Sequence, residues 1–297
     1  MINIKRKLRK VLIGGLWHVA YKNRDTSQAF KVAKNPHNEF CADPFVIEEG
    51  GETYIFCEQF RTKDRKGCIG YFKFEGGEPI NKGIIIDRPY HMSYPCVFKY
   101  HGEYYMIPET GENKTVELFK AERFPDKWKQ VSVLLEGEGY VDTTILIYED
   151  NLSFVTYFVR GTKYILQHYF LSDDLKTATL HSEKVFDENT GRGAGGFYKK
   201  EGVLYRPSQN CRKSYGENII FNKVELLQNG YEEVPIDTLR LSDVQIPLNH
   251  LTALHTFSLS SKYEVVDVFQ EKIDPTYTLG NLMAAKKRRK LLQLKNR

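Results

Sequence analysis

The sequence predicts an all-β protein built as a five-bladed β-propeller, and three observations carry that expectation. The first is an internal repeat: Asp43 to Glu58 (DPFVIEEGGETYIFCE) lies on Tyr94 to Glu109 (YPCVFKYHGEYYMIPE) without a gap. Each stretch is an alternating apolar run, a glycine turn and a second apolar run ending on glutamate, the pattern of a β-hairpin. The frame recurs from Ala194 through Gly202 to Gln209 and, more loosely, from Asp142 to Tyr157 and from His255 to Asp267. A unit of roughly fifty residues thus repeats about five times. The second observation is that helix-forming pattern is scant before Leu279. The third is a strand-like segment, Val11 to Lys22, ahead of the first repeat, placed to complete the last blade and so remove exposed sheet edges.

The expected organisation is a basic tail over 1–10, a propeller over 11–275, and a basic, helical tail over 276–297. Blade one runs from about Phe40 to Glu75 with Cys68 to Phe74 as its outer strand, and blade two from Met92 to Glu122, followed by a strand from Gln130 to Leu135. Blade three holds Asp142 to Tyr148, Leu152 to Phe158 and Tyr164 to Phe170; blade four holds Gly195 to Tyr198, Gly202 to Arg206 and Glu217 to Val224. Blade five, the shortest, holds Leu254 to Leu259 and Tyr263 to Val268, and Leu279 to Lys295 has helix formers around a basic block.

Composition agrees with a folded domain, at 41% apolar residues and 13% aromatics. The net charge of +5 conceals a segregation. Twelve cations sit in the two tails: Lys5, Arg6, Lys7, Arg9 and Lys10, then Lys286, Lys287, Arg288, Arg289, Lys290, Lys295 and Arg297. Setting those aside leaves 31 basic against 38 acidic residues, a body of net −7 that excludes nucleic acid as a partner. Basic tails with Val11, Leu12, Ile13, Leu291, Leu292 and Leu294 beside them suit an anionic membrane surface, and solvated tails are the plainer alternative. Cysteines 41, 57, 68, 96 and 211 show no paired spacing, which reads as free thiols in a reducing compartment and no zinc site. The expected location is the cytoplasm, peripheral at the inner face of the membrane.

The frame also places chemistry. In an antiparallel hairpin the first residue of strand one and the last of strand two share an edge, so five radial hairpins gather their ends at one mouth. Asp43 opens an inner strand, and the proline after it is expected to hold it extended with its carboxylate at the strand's start. Such a carboxylate serves as nucleophile, base or electrostatic stabiliser, while an Asx turn is the plain structural reading. Glu109 ends an apolar strand, so desolvation should raise its pKa and suit it to act as an acid. Asp142 completes the expected catalytic set. Glu58, Tyr94, Arg192, Tyr205, Arg206, Gln209 and His255 are the expected substrate contacts. Arg206 reads equally as a ligand for an anion or as a structural ion pair, and a lone histidine near a strand, such as His255, is more often a satisfied core residue than a ligand. No metal-ligand motif is present; a nucleotide-sugar donor and an ion in the axial channel are the cofactor expectations.

At Asp43-Pro44-Phe45, His91 to Pro95, Tyr105 to Thr110, Val116 to Ala121 and Phe124 to Trp128, and again at Tyr205 to Cys211, Tyr215-Gly216 and His255-Thr256, the chain resembles one known family. It is similar to the N-terminal domain of plant glucosamine inositolphosphorylceramide transferases, a domain also found alone or beside formyltransferase-like modules in bacteria. The likeness spans nearly all of residues 15 to 270. That domain in turn looks like the five-bladed propellers of glycoside hydrolase family 43. The resemblance implies an aspartate base on blade one, a second aspartate on blade two and a glutamate acid on blade three. Here Asp43 matches the first, but Tyr94 and Asp142 open the other two blades, so the hydrolase triad is not copied. The implied activity is glycosyl transfer, or service to a partner transferase, in surface polysaccharide or glycolipid assembly. A family 43 hydrolase and a non-catalytic glycan-binding propeller are the alternatives. The plant proteins carry a separate glycosyltransferase domain that this sequence does not contain.

Overall fold

A computed structural model describes residues 13–24, 26–148, 151–227, 230–273 and 277–295. The basic tail expected over 1–10 lies outside the described residues. Five four-stranded antiparallel sheets form the chain. Strand β1 (Ile13–Asn23) and the short β2 (Lys31–Val32) come first. Blade one is β3 (Glu39–Glu49), β4 (Glu52–Arg61), β5 (Lys66–Glu75) and β6 (Glu78–Ile86). Blade two is β7 (Ser93–Tyr100), β8 (Glu103–Thr110), β9 (Thr115–Arg123) and β10 (Lys127–Glu136). Blade three is β11 (Val141–Tyr148), β12 (Asn151–Arg160), β13 (Lys163–Leu171) and β14 (Ala178–Phe186). Blade four is β15 (Tyr198–Lys200), β16 (Val203–Asn210), β17 (Asn218–Leu227) and β18 (Gly230–Leu239). Blade five starts with β19 (Leu251–Leu259) and β20 (Tyr263–Ile273), and helix α1 (Tyr277–Lys295) follows.

Blade five closes the ring. Its order is β19-β20-β1-β2, with β1 paired to β20 from Ile13↔Ile273 to Asn23↔Tyr263. The N-terminal segment therefore supplies the third and fourth strands of the last sheet and satisfies edge groups that would otherwise invite pairing with another chain. Fourth strands β6, β14 and β18 extend blades one, three and four beyond the three strands read from sequence. Their outer edges meet solvent, and the alternation of β14 is weak, with no residue of it fully buried.

The apolar core is a set of wedges between neighbouring sheets. Phe56, Ile69, Met92, Met106 and Phe119 fill the gap between blades one and two. Leu146, Val155, Leu204 and Val224 fill that between three and four. Ala20, Ala194, Ile219, Leu254 and Val266 fill the gap between four and five, and Val19, Cys41, Ile55, Phe72 and Val265 close the circle. Each fully buried side chain of this kind stabilises by about 1.5–3 kcal/mol.

One local device recurs where the inner strands begin. In blades one, two, three and five the inner pairing slips between Ala42 and Phe45, Ser93 and Cys96, Val141 and Thr144, and Leu254 and Phe257. These are β-bulges, which bend the strand and re-aim a side chain. Asp43, Tyr94 and Asp142 take φ of 51°, 46° and 52° at this point. The extended conformation expected of Asp43 is therefore not what forms: the bulge forces it into the left-handed region. One residue past the corresponding place in blade four, which is Ala194, Gly195 has φ 125° and a Cβ there would lie 1.9 Å from Phe257 O, so only glycine fits.

Candidate active site at the propeller mouth

The bulges deliver Asp43, Asp142 and His255 to one end of the axis, and the hairpin ends deliver Glu58 and Glu109. Asp43 is buried at 6% exposure and fully engaged. Its Oδ1 accepts from Thr256 Oγ1 at 3.2 Å and lies 3.3 Å from His255 Nε2, and its Oδ2 accepts from the Tyr94 N–H at 3.2 Å. His255 Nδ1 meets Asp267 Oδ1 at 2.7 Å. Asp267 is wholly buried, and its carboxylate also accepts from the N–H groups of Asp43 and Thr256 at 2.8 and 2.9 Å. A carboxylate thus stands beside each ring nitrogen, hydrogen-bonded at Nδ1 and within ion-pair distance at Nε2, an arrangement that favours the cationic imidazole. Burial opposes that charge, but Asp267 and Asp43 outweigh it and His255 is raised above its ordinary range. One ligand atom from each of Asp43, His255 and Asp267 lies within 4.8 Å of the others, so this triad is where an axial cation would sit.

Asp142 is gripped by Arg192, whose Nε and Nη2 donate to its two oxygens at 2.7 and 3.2 Å. The same guanidinium lies 3.8 Å from Glu109 Oε2, which accepts from the Asp142 N–H at 3.4 Å. Glu109 is thus a neighbour of a charged pair without being neutralised by it. Its carboxyl is raised well above the carboxylate range, first by burial and then by the charge of Asp142, against the pull of Arg192. Asp43 is pushed up to about 6 by burial, with His255 lowering it and Asp267 and Asp142 raising it. Glu58 is raised well above its usual range by burial and by Asp43 and Glu109.

Beside Glu58 stands His91, whose Nδ1 accepts from the Gly67 N–H at 3.0 Å and whose Nε2 points at Glu58 Oε1 at 3.3 Å. That pattern fixes the neutral tautomer with its proton on Nε2, and burial together with Arg288 pulls His91 down to about 4. Gly67 is required here, since a Cβ would lie 2.3 Å from Glu58 Oε1.

An aromatic wall completes the rim. Trp17 stacks on His255 at 3.9 Å between centroids, Tyr215 meets the same ring edge-on at 5.2 Å, and Arg192 lies 5.3 Å over Tyr215. Tyr215 remains 49% exposed, an open ring face of the kind on which a sugar stacks. A cleft of about 450 Å³, with Phe60, His91, Glu109, Glu112, Val141 and Arg288 among its walls, runs from Glu109 toward helix α1.

Asp43, Glu58, Glu109, Asp142, Arg192 and His255 therefore share one mouth, and Gln209 braces it from below, donating to Gly193 O at 2.7 Å and lying 3.5 Å from Asp142 Oδ2. Three expected contacts lie elsewhere. Tyr94 is fully buried, with its hydroxyl tied to Thr144 and to the backbone of Gly195, so it fills the axis beneath the mouth. Arg206 is fully buried and its fork donates to both oxygens of Glu233 at 2.7 and 2.8 Å, which makes it the structural ion pair of its two readings. Tyr205 stacks on Tyr198 at 5.3 Å and faces the groove between blades four and five. Sequence reading missed Asp267, His91 and Trp17. Asp267 stands opposite the blade-five bulge, the place held by Cys57, Pro108 and Thr156 in blades one to three.

The raised groups set the sign of the pH dependence. Glu58, Glu109, Asp43 and His255 each hold a proton more tightly folded than unfolded, so their contribution is complete at low pH and is lost as pH rises through the folded values. His18, His91 and His168 are depressed and act the other way only below their unfolded value of about 6.5. Above about pH 6.5, where the depressed histidines no longer contribute, the raised groups of the mouth set the sign, and the melting temperature should fall as pH rises. Calorimetry across that range checks it; a flat or rising profile would contradict the assignment.

The fold and site together define a class. The structure is similar to an alpha-L-arabinofuranosidase from Clostridium thermocellum (TM-score 0.58, 11% identity, covering 76% of this chain and 81% of that one). It is also similar to a family 117 glycoside hydrolase from Zobellia galactanivorans (TM-score 0.57, 12% identity, covering 86% and 90%). The architecture is thus the five-bladed propeller that those two hydrolases share. Residues 15–251 match the family described as glucosamine inositolphosphorylceramide transferase 1, N-terminal, and the chain belongs to that family. It is 32% identical over 212 residues to glucosamine inositolphosphorylceramide transferase 1 of Oryza sativa subsp. japonica, and 32% identical over 229 residues to that of Arabidopsis thaliana. Those alignments cover 67% and 71% of this chain but 28% and 29% of the relatives, so the chain spans under a third of their length.

Proposed function

We propose that the mouth is a carbohydrate site that carries out, or directly serves, glycosyl transfer from a nucleotide-sugar donor to a glycan or glycolipid. The observation that carries this reading is the unequal settings of its carboxyls. Burial raises both, but Glu109 beside the Arg192–Asp142 pair stands well above the carboxylate range, while Asp43, among Thr256, His255 and the Tyr94 N–H, is pushed up only to about 6. Environments that push neighbouring carboxyls apart assign acid and base roles. Glu109 acts as the acid, Asp43 as the base or charge stabiliser, and Asp142 as the anchor that holds Arg192 toward substrate. Arg192, in place of Arg206, is the cation for an anionic group, and Tyr215 is the sugar platform. The names of the relatives support a glycolipid acceptor, and the five free thiols support a reducing compartment. A second reading, a glycan-binding module that positions a partner enzyme, is favoured by Tyr94 occupying the blade-two start with no free acid.

The test is a panel of nucleotide-sugar donors with glycan and glycolipid acceptors, run on the wild type and Asp43→Asn. The amide should retain the fold and lower transfer by about 100-fold or more. Turnover of aryl glycosides without a donor would select hydrolysis, and sugar binding without turnover, indifferent to the amide, would select the binding module.

A further inference from the structure

Helix α1 lies across the mouth-end loops of blades one and two. Asn281, Ala285, Arg288 and Leu292, spaced along one stripe, face the propeller. Asn281 Oδ1 accepts from Arg65 Nη1 at 3.0 Å. Arg288 donates to Glu112 Oε2 at 2.9 Å and to the carbonyls of Arg65 and Asp64 at 2.9 and 3.3 Å. Glu112 also accepts from the His91 N–H at 2.6 Å, and Leu292 packs against the wedge between blades one and two. Arg288 is the one residue of the run 286–290 that is not exposed, and Arg289 beside it stands at the lip of the cleft. Lys286, Lys287, Arg289 and Lys290 are exposed, and between them stand Leu282, Met283 and Leu291 at 65%, 64% and 52% exposure. The sequence from Tyr277 to Arg297 contains no acid.

A helix held by one stripe with a cationic and apolar outer face, free of acid, is complementary to an anionic bilayer surface. No helix among the described residues is long and apolar enough to cross a membrane. The direction of this face matters more than its composition. Because the inner stripe rests on the turn 62–65 and on the short 3-10 helix Gly111–Asn113, both at the mouth end, the outer face looks the way the mouth opens. Strand β1 also starts at that end, at Ile13, directly after the cations Lys5 to Lys10 of the sequence.

We infer that α1 docks the propeller on an anionic membrane with its mouth turned toward the lipid, so that the acceptor is a sugar or headgroup anchored in that bilayer. This rests on the mouth being the transfer site. The test is flotation of the full chain with vesicles of phosphatidylcholine alone and with about 30% phosphatidylglycerol. Binding should need the anionic lipid and should be lost at about 0.5 M salt, where charges are screened. Lys286→Glu, Lys287→Glu and Lys290→Glu together should weaken it by about 100-fold or more, with the melting temperature and transfer to a water-soluble acceptor unchanged. On bound vesicles in a Cys211→Ser background, brominated lipid should quench a fluorophore on Lys213→Cys, at the mouth end, more than one on Glu201→Cys, in the opposite turn. Equal flotation of the triple variant, or stronger quenching at 201, would overturn the inference. Loss of soluble-acceptor transfer with flotation intact would instead count against the transfer site.

Discussion

Glu109→Gln should lower transfer by about 100- to 10,000-fold while leaving the fold intact, because it removes a general acid and little else. The amide keeps the size of the side chain and its acceptor for the Asp142 N–H, so Asp142 and Arg192 keep their places. The stability readout separates this role from a structural one. In the wild type, Glu109 holds its proton more firmly folded than unfolded, so ionising it costs stability as pH rises. Glutamine carries no such cost, and the variant should melt at or above the wild type by a margin that widens with pH. A variant that keeps more than about a tenth of the activity would remove Glu109 from the acid role.

The largest effect on stability is expected from Arg206→Ala. It leaves Glu233, 6% exposed and also holding the Tyr231 hydroxyl at 2.7 Å, as a buried carboxylate without its cation. Breaking such a pair from one side costs about 3–5 kcal/mol. In a chain of this size that lowers the melting temperature by roughly 6–20 °C. In the wild type, burial would raise Glu233 but Arg206 outweighs it and holds the carboxyl low, so its contribution is present near neutrality and lost in acid. Without Arg206 the sign reverses, and the deficit should shrink as pH falls and Glu233 takes a proton. Melts of the variant at about pH 5 and pH 8 check both statements. Arg206→Met with Glu233→Leu should recover most of the loss, since packed apolar residues can replace a buried pair.

Much of the architecture was legible because the inner hairpins are buried on both faces and repeat without gaps, as Asp43 to Glu58 and Tyr94 to Glu109 do. Strands β6, β14 and β18 were not, since an outer strand with one face in solvent has no strict pattern to read. The mouth was partly legible for the same reason: equivalent places in the frame share one rim, which brought Asp43, Glu109, Asp142 and His255 together. What failed was parity and register. Arg206 is three residues before Gln209 on β16, an odd separation that puts the two side chains on opposite faces of the strand. Asp267 escaped because the blade-five frame is loose and the bulge at His255 and Thr256 sets it between the pairs Leu254↔Val268 and Phe257↔Val266, with no register partner of its own on β19. The bulges themselves carry no composition signature, as aspartate, tyrosine and histidine all occupy them.

The pairing of β1 with β20 sets an order of events during synthesis. The inner hairpins of blades one to four join neighbours in the chain and can form as each pair of strands leaves the ribosome. The sheet that joins Ile13 to Ile273 cannot, because its two halves are the first and last strands of the propeller. Such distant contacts are slow to form. Until residue 273 emerges, β1 has only the two-residue β2 beside it and the wedges holding Val19 and Ala20 stay open. A growing chain thus carries a largely apolar strand with one open edge until the propeller is complete, the state in which a holdase chaperone or a premature stop would matter most.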